Sequence, residues 1–270
     1  MDLPEPETPT TARVSPADTL SVTSSSIVSN PPGLSTCLPN ASACTIGAEG
    51  VVAMRTLLLS SLLLLASPLP ANPAPTILVL GDSLSAAYGM DLEQGWVELL
   101  GVRLGQQGYP YRVVNSSISG DTTSSALVRL ERELERHRPA IVVVALGGND
   151  GLRSLPLESV SSNLSQIIER ALASGADVAL AAMRLPPNYG PIYVDAFEAM
   201  FGAIAQRHAV TLIPFLLDGV ATVPGMMQAD GIHPAAGAQP VILDNVWPYL
   251  EPVLQRRAQA TRTNSGLSRP

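Results

Sequence analysis

Four short segments of this 270-residue chain bring hydroxyl, carboxylate, amide and imidazole groups together with glycine. They are Gly81-Asp82-Ser83-Leu84-Ser85, Ser117-Ile118-Ser119-Gly120-Asp121-Thr122, Leu146-Gly147-Gly148-Asn149-Asp150-Gly151-Leu152-Arg153 and Asp230-Gly231-Ile232-His233-Pro234. His137 and His208 each close a helical pattern, where an imidazole suits the helix dipole. His233 instead falls in a loop, three residues after Asp230 and directly before a proline. Two readings fit that spacing. One is a turn in which the Asp side chain bonds its own backbone; the other is a general base oriented by a carboxylate from the same turn. A base needs a nucleophile, and Ser83, at a strand-to-loop junction, is the best-placed hydroxyl. Gly147-Gly148 belongs to neither a P-loop nor a dinucleotide-binding pattern. Beside Asn149 the pair has another use: the amide can donate to an oxyanion while the glycines keep side chains away. Leu84-Ser85 replaces the x-G of a G-x-S-x-G elbow, which disfavours an ordinary α/β-hydrolase.

These segments need a frame that brings them to one place. Short β-branched runs at Thr76–Leu80, Tyr111–Asn115, Ala140–Leu146, Asp177–Met183 and Val210–Ile213 alternate with helical patterns. The apolar helix faces are Trp96, Leu99, Leu100 and Leu104; then Leu127, Leu130 and Leu134. Val160, Leu164, Ile167, Ile168 and Ala171 make a third, and Phe197, Met200, Phe201 and Ile204 a fourth. A last amphipathic stretch covers about Ala238 to Leu254, with Pro240 tolerable in its first turn. Alternation with nearly continuous apolar strands predicts a parallel sheet covered on both faces. Ligands of such sheets sit outside the carboxyl ends of the strands, where all four polar segments then converge. No internal repeat interrupts the pattern.

Composition narrows the function. The chain is 46% hydrophobic and only 14% charged, enough for a sizeable core. Its net charge is −7 and its 16 basic residues are all Arg, a balance that argues against a nucleic-acid groove. The only cysteines, Cys37 and Cys44, precede residue 54, which excludes cysteine nucleophiles, thiolate metal sites and disulfide scaffolds downstream. Residues 1–53, rich in Ser, Thr and Pro, are expected to be a disordered or mis-assigned extension. Residues 54–74 carry Met54-Arg55, the apolar run Leu57–Ala66 and a Pro/Ala stretch, matching a secretory signal peptide that starts at Met54. The run is too short for a membrane span, which needs roughly 20 apolar residues. Residues 75–258 form the expected domain, and 259–270 a flexible tail.

Together the four segments resemble the blocks of the SGNH (GDSL) hydrolases: Gly81-Asp82-Ser83-Leu84, Gly120, Gly148-Asn149-Asp150 and Asp230-x-x-His233. The longer matches within them resemble the bacterial periplasmic acyl-CoA thioesterase I / protease I / lysophospholipase L1 group, over roughly residues 75–255. The resemblance implies a three-layer α/β/α sandwich with a five-stranded parallel sheet of flavodoxin-like order. It implies Ser83 as nucleophile, His233 as base and Asp230 as the group orienting it. The oxyanion hole would comprise the Ser83 and Gly120 backbone N–H groups and the Asn149 side chain. Asp150, Gly151, Leu152 and Arg153 would belong to a loop beside the acyl groove, with Leu185 and Tyr189 bordering it. Asp82 is better explained as a cap for the tight turn. The implied partner is a small acyl ester or thioester, hydrolysed without cofactor or metal by a periplasmic or secreted monomer that retains no membrane span after processing. A carbohydrate-ester deacetylase or arylesterase of the same family, and a non-catalytic binding domain, are the alternatives.

Overall fold

The computed structural model describes residues 74–266. The expected extension at 1–53 and leader at 54–74 lie outside the described residues, Ala74 apart. Five parallel strands form the sheet: β1 (Thr76–Gly81), β2 (Arg112–Asn115), β3 (Ile141–Ala145), β4 (Asp177–Ala181) and β5 (Thr211–Ile213), in the order β2-β1-β3-β4-β5. That is the flavodoxin-like arrangement. Register is set by pairs such as Ile77 with Ile141 and Leu78 with Val114. Every residue of β1 and β3 is buried, which is why these strands are apolar without alternation.

Among the described residues five α-helices connect the strands and a sixth follows β5: α1 (Trp96–Gln106), α2 (Thr123–His137), the short α3 (Gly148–Leu152), α4 (Leu157–Ala173), α5 (Pro191–His208) and α6 (Gln239–Gly266). Helices α2, α4 and α5 pack in sequence against one another, and α1 packs against α6. The stripes expected on α4 and α5 are buried in full, and Phe197, Phe201 and Trp96 are the largest wholly buried side chains. On α2 the buried stripe is Ala126, Leu130, Glu133 and Leu134, with Leu127 only half-buried.

One boundary differs from expectation. The last helix continues to Gly266, well beyond residue 258. Leu250, Val253 and Leu254 anchor it in the core, and no glycine or proline follows Pro252 until Gly266 to stop propagation. Among the described residues no helix is long and apolar enough to cross a membrane.

Candidate active site

β1 ends at Gly81, and the chain turns at once. The Asp82 carbonyl accepts hydrogen bonds from Ser85 N (3.1 Å) and Ala86 N (3.0 Å), while Asp82 Oδ1 accepts from Leu84 N (3.0 Å). Asp82 therefore does cap the tight turn. Gly81 is required, because a Cβ there would lie 2.8 Å from both Ser117 Oγ and Ser85 Oγ. The turn presents Ser83 half-buried at the carboxyl edge of the sheet.

His233 arrives from the far end of the sequence on a small hairpin. Met227 pairs antiparallel with Pro234, Gln228 N donates to His233 O (2.7 Å) and Ala235 N donates to Met226 O (2.7 Å). At its tip Asp230 Oδ1 accepts from His233 N (3.0 Å) and Ile232 N (2.9 Å), and Oδ2 lies 2.6 Å from His233 Nδ1. The Asp230 carboxylate thus both bonds the backbone of its own turn and contacts the imidazole ring. The His233 backbone N–H, its ring N–H and the Ile232 N–H hold the Asp230 carboxyl far below the usual carboxylate range. An ionised acceptor at Nδ1 places the ring proton there, leaving the Nε2 lone pair directed at Ser83 Oγ, 2.9 Å away.

β3 supplies the third segment. Gly147, at φ +108°, turns the chain into α3, and a side chain there would meet Phe201 at 3.1 Å. The Asn149 amide donates to Asp121 O (3.0 Å) and to Asp82 Oδ2 (3.3 Å). Burial pushes the Asp82 carboxyl up to about 6, against the opposing pull of Leu84 N–H, the His233 charge and the Asn149 amide. Among the described residues, neither the Ser83 nor the Gly120 backbone N–H has a hydrogen-bond partner. The Gly120 segment is held from behind, where Arg129 Nε and Nη2 both reach Asp121 Oδ2 (3.0 and 2.7 Å). Arg129 Nη1 donates in turn to Ser116 Oγ, and Ser116 to Glu133.

The expected acyl-loop residues separate into two kinds. Asp150 is buried and turned inward, its carboxylate accepting from Thr123 N and from Thr123 Oγ1 (2.6 Å), so it caps the start of α2 and is not presented to a ligand. Gly151 is walled in by Leu185 and Phe197, which leave no room for a Cβ. Leu185 is accordingly a buried support. Leu152 is half-buried against the core, and its carbonyl accepts from the Tyr189 hydroxyl (3.0 Å). Arg153, exposed, donates to Gly120 O (3.2 Å) and ties this loop to the one carrying the free N–H. His137 and His208 sit in the last turns of α2 and α5, beside Glu133 (3.5 Å) and Glu169 (4.0 Å), apart from Ser83.

Sequence reading overlooked several contributors. Tyr88 lays its ring on the His233 imidazole, with centroids 4.2 Å apart and planes at 33°. Gln228, Thr123 and Arg129 position neighbours of the site. An exposed aromatic in a loop five residues after Ser83 was the one available signal. No cluster of three or more His, Cys, Asp or Glu side chains that could hold a metal ion occurs among the described residues.

A doubly wound parallel sheet thus carries Ser83, His233 and Asp230, hydrogen-bonded in series, at its carboxyl edge. The chain belongs to the GDSL-like lipase/acylhydrolase family, which residues 79–239 match. It is 53% identical over 201 residues to the esterase TesA of Pseudomonas aeruginosa, covering 74% of this chain and all of the relative. It is 42% identical to the thioesterase 1/protease 1/lysophospholipase L1 of Escherichia coli K12, covering 68% of this chain and 87% of that one. The crystal structure of TesA superposes with a TM-score of 0.65 at 55% identity, over 66% of this chain and 98% of the other. The psychrotrophic esterase EstA of Pseudoalteromonas sp., in a structure inhibited by monoethylphosphonate, gives the same TM-score at 39% identity over 67% and 98%.

Proposed function

We propose that this enzyme hydrolyses acyl esters and thioesters through a covalent acyl–enzyme formed on Ser83. The single observation that carries the proposal is the unbroken relay Asp230–His233–Ser83, with spacings of 2.6 and 2.9 Å. His233 Nε2 takes the Ser83 proton as Oγ attacks the acyl carbon. The carbonyl π pair moves onto oxygen, where the Ser83 and Gly120 N–H groups and the Asn149 amide receive the charge. His233 then delivers its proton to the departing alkoxide or thiolate as the bond to the acyl carbon breaks. Water repeats the sequence, with His233 as base, and releases the carboxylic acid. Asp230 stays ionised throughout and stabilises the imidazolium. No step calls for a metal.

In the free site both Asn149 amide hydrogens are engaged, the longer bond going to Asp82. That weaker one is the hydrogen that turns to the oxyanion. The relatives' names, esterase and thioesterase/lysophospholipase, favour lipid-type acyl substrates. Further parts of the proposal are export through the leader read at Met54, delivering a periplasmic or secreted enzyme, and action as a monomer. A ladder of p-nitrophenyl esters of increasing chain length tests the substrate class. A maximum at medium or long chains supports it, and a maximum at acetyl favours a deacetylase instead.

A further inference from the structure

Ser83 and His233 stand on separate loops whose closest approach is the reacting pair itself, and 150 residues of chain lie between them. A hydrogen bond whose proton is transferred is a poor fixture, since its donor and acceptor exchange roles when the proton moves. Among the described residues, only one other hydrogen bond joins residues 82–91 to residues 226–235. Gln228 Nε2 donates to Tyr88 O (2.8 Å) on the nucleophile loop. The same nitrogen donates to Pro234 O (3.0 Å), and Gln228 N donates to His233 O (2.7 Å). One side chain therefore grips both loops, and its own backbone is laced to the histidine. The nucleophile loop is shaped to admit it. Gly89 sits at φ +73°, and a Cβ there would come within 2.5 Å of Gln228 Oε1. Ala87, just before Tyr88, holds a left-handed φ of +55°. The carbonyl that Gln228 grips belongs to the residue whose ring covers the His233 imidazole, centroid to centroid 4.2 Å.

We propose that Gln228 is a positioning residue for the reaction, a latch that fixes the nucleophile loop to the histidine hairpin and sets the Tyr88 ring against the imidazole. The inference rests on the Ser83–His233 mechanism above. Tyr88 restricts the ring of His233 to the plane that serves both Asp230 and Ser83; Gln228 keeps Tyr88 there. The latch acts on geometry during proton transfer, so its loss falls on kcat, since misplacement of about 1 Å can cost roughly a hundredfold in rate.

The test compares Gln228→Ala, Tyr88→Ala, Tyr88→Phe and the double variant Gln228→Ala/Tyr88→Ala on one p-nitrophenyl ester, each with a thermal melt. Gln228→Ala is expected to lower kcat about 10- to 100-fold with KM within about threefold. Tyr88→Ala, at an exposed position that does not threaten folding, lowers kcat similarly, and Tyr88→Phe recovers most of it because the ring face returns. The double variant is no worse than the more impaired single variant, since the latch works through the ring. If Gln228→Ala does not fold, Gln228→Met is read in its place, because it keeps the length and volume and cannot donate. Wild-type kcat in a folded Gln228 variant overturns the latch, as does equal loss in Tyr88→Phe and Tyr88→Ala, or fully multiplicative losses in the double variant. Fluorophosphonate labelling of wild type at Ser83 separates the two failures: absent labelling sinks the mechanism, whereas intact labelling with an unaffected Gln228 variant sinks the latch alone.

Discussion

Asp82 Oδ2 and Asn149 Nδ2 face one another at 3.3 Å across the ends of the adjacent strands β1 and β3. The residue before the proposed nucleophile thereby supports the proposed oxyanion donor. Its carboxyl is buried and pushed up to about 6, so protonation there has a consequence for stability.

The stability consequence has a definite sign. The folded-state value lies above the ordinary 3.8, so between about pH 4 and 6 the native protein holds a proton that the unfolded chain has released. This group's contribution to stability is therefore greatest at low pH and declines through that window, by at most about 3 kcal/mol. Asp82→Asn lacks the effect. Melting temperatures of wild type and Asp82→Asn, followed from pH 4 to 7, should move in the variant's favour as pH rises. A constant offset would mean that Asp82 does not titrate there.

On the proposed mechanism, loss of the Asn149 side chain removes a donor that matters more in the transition state than in the ground state. Asn149→Ala should lower kcat about 10²–10³-fold with a smaller change in KM. Because the Ser83 and Gly120 N–H groups remain, activity should still exceed that of Ser83→Ala. Steady-state kinetics with a melt as folding control decide it; a folded variant within a few-fold of wild-type kcat refutes the oxyanion role.

Asp230 behaves oppositely to Asp82. Its depressed titration means the charged form is favoured by folding, so its contribution is present above the ordinary 3.8 and fades only in stronger acid. Across pH 4–9 it should stay ionised, and the pH–rate profile there should reflect other groups. Asp230→Asn should cut kcat by about 10²–10⁴-fold, since the imidazole loses its charged partner. Wild-type kcat in a folded Asp230→Asn variant would contradict the assignment.

Gly151 offers a test of packing under the loop. A methyl group there would lie 2.7 Å from Leu185 Cδ2 and 2.8 Å from Phe197 Cε2. Overpacking of that kind costs about 1–3 kcal/mol. Gly151→Ala should lower the denaturation midpoint accordingly, and the loss in Gly151→Ala/Leu185→Ala should be smaller than the sum of the two single losses. Urea melts of the double and both single variants measure this.

Much of this was legible in the chain because each active segment is short and continuous. Ser83, Asn149 and the Asp230–His233 pair could be picked out by residue type beside strand ends, and the strands themselves by the apolar runs of β1 and β3. Asp150 was less legible. Beside Asn149 its carboxylate looks like a loop group facing solvent, yet α2 begins 27 residues earlier in sequence with N–H groups that need an acceptor. Gln228 was hidden for the same reason: its partner carbonyl at Tyr88 is 140 residues away, and a glutamine in a polar loop carries no periodic signal. The far end of α6 was missed because an Arg- and Gln-rich continuation lacks an apolar stripe, although helix propagation needs none once the core residues have seeded it.

The 150-residue gap between Ser83 and His233 also orders events in time. A chain is made from its N-terminus, so the Ser83 hydroxyl is synthesised long before the imidazole proposed to activate it. β1 to β5 all precede the histidine hairpin, and α6, which packs beside α1, comes later still. On the proposed mechanism, a polypeptide ending between residues 149 and 233 carries the hydroxyl and the oxyanion donors but no base, which confines acyl transfer to the feeble nucleophilicity of a neutral serine. On that mechanism, hydrolysis by this chain requires synthesis through the histidine hairpin.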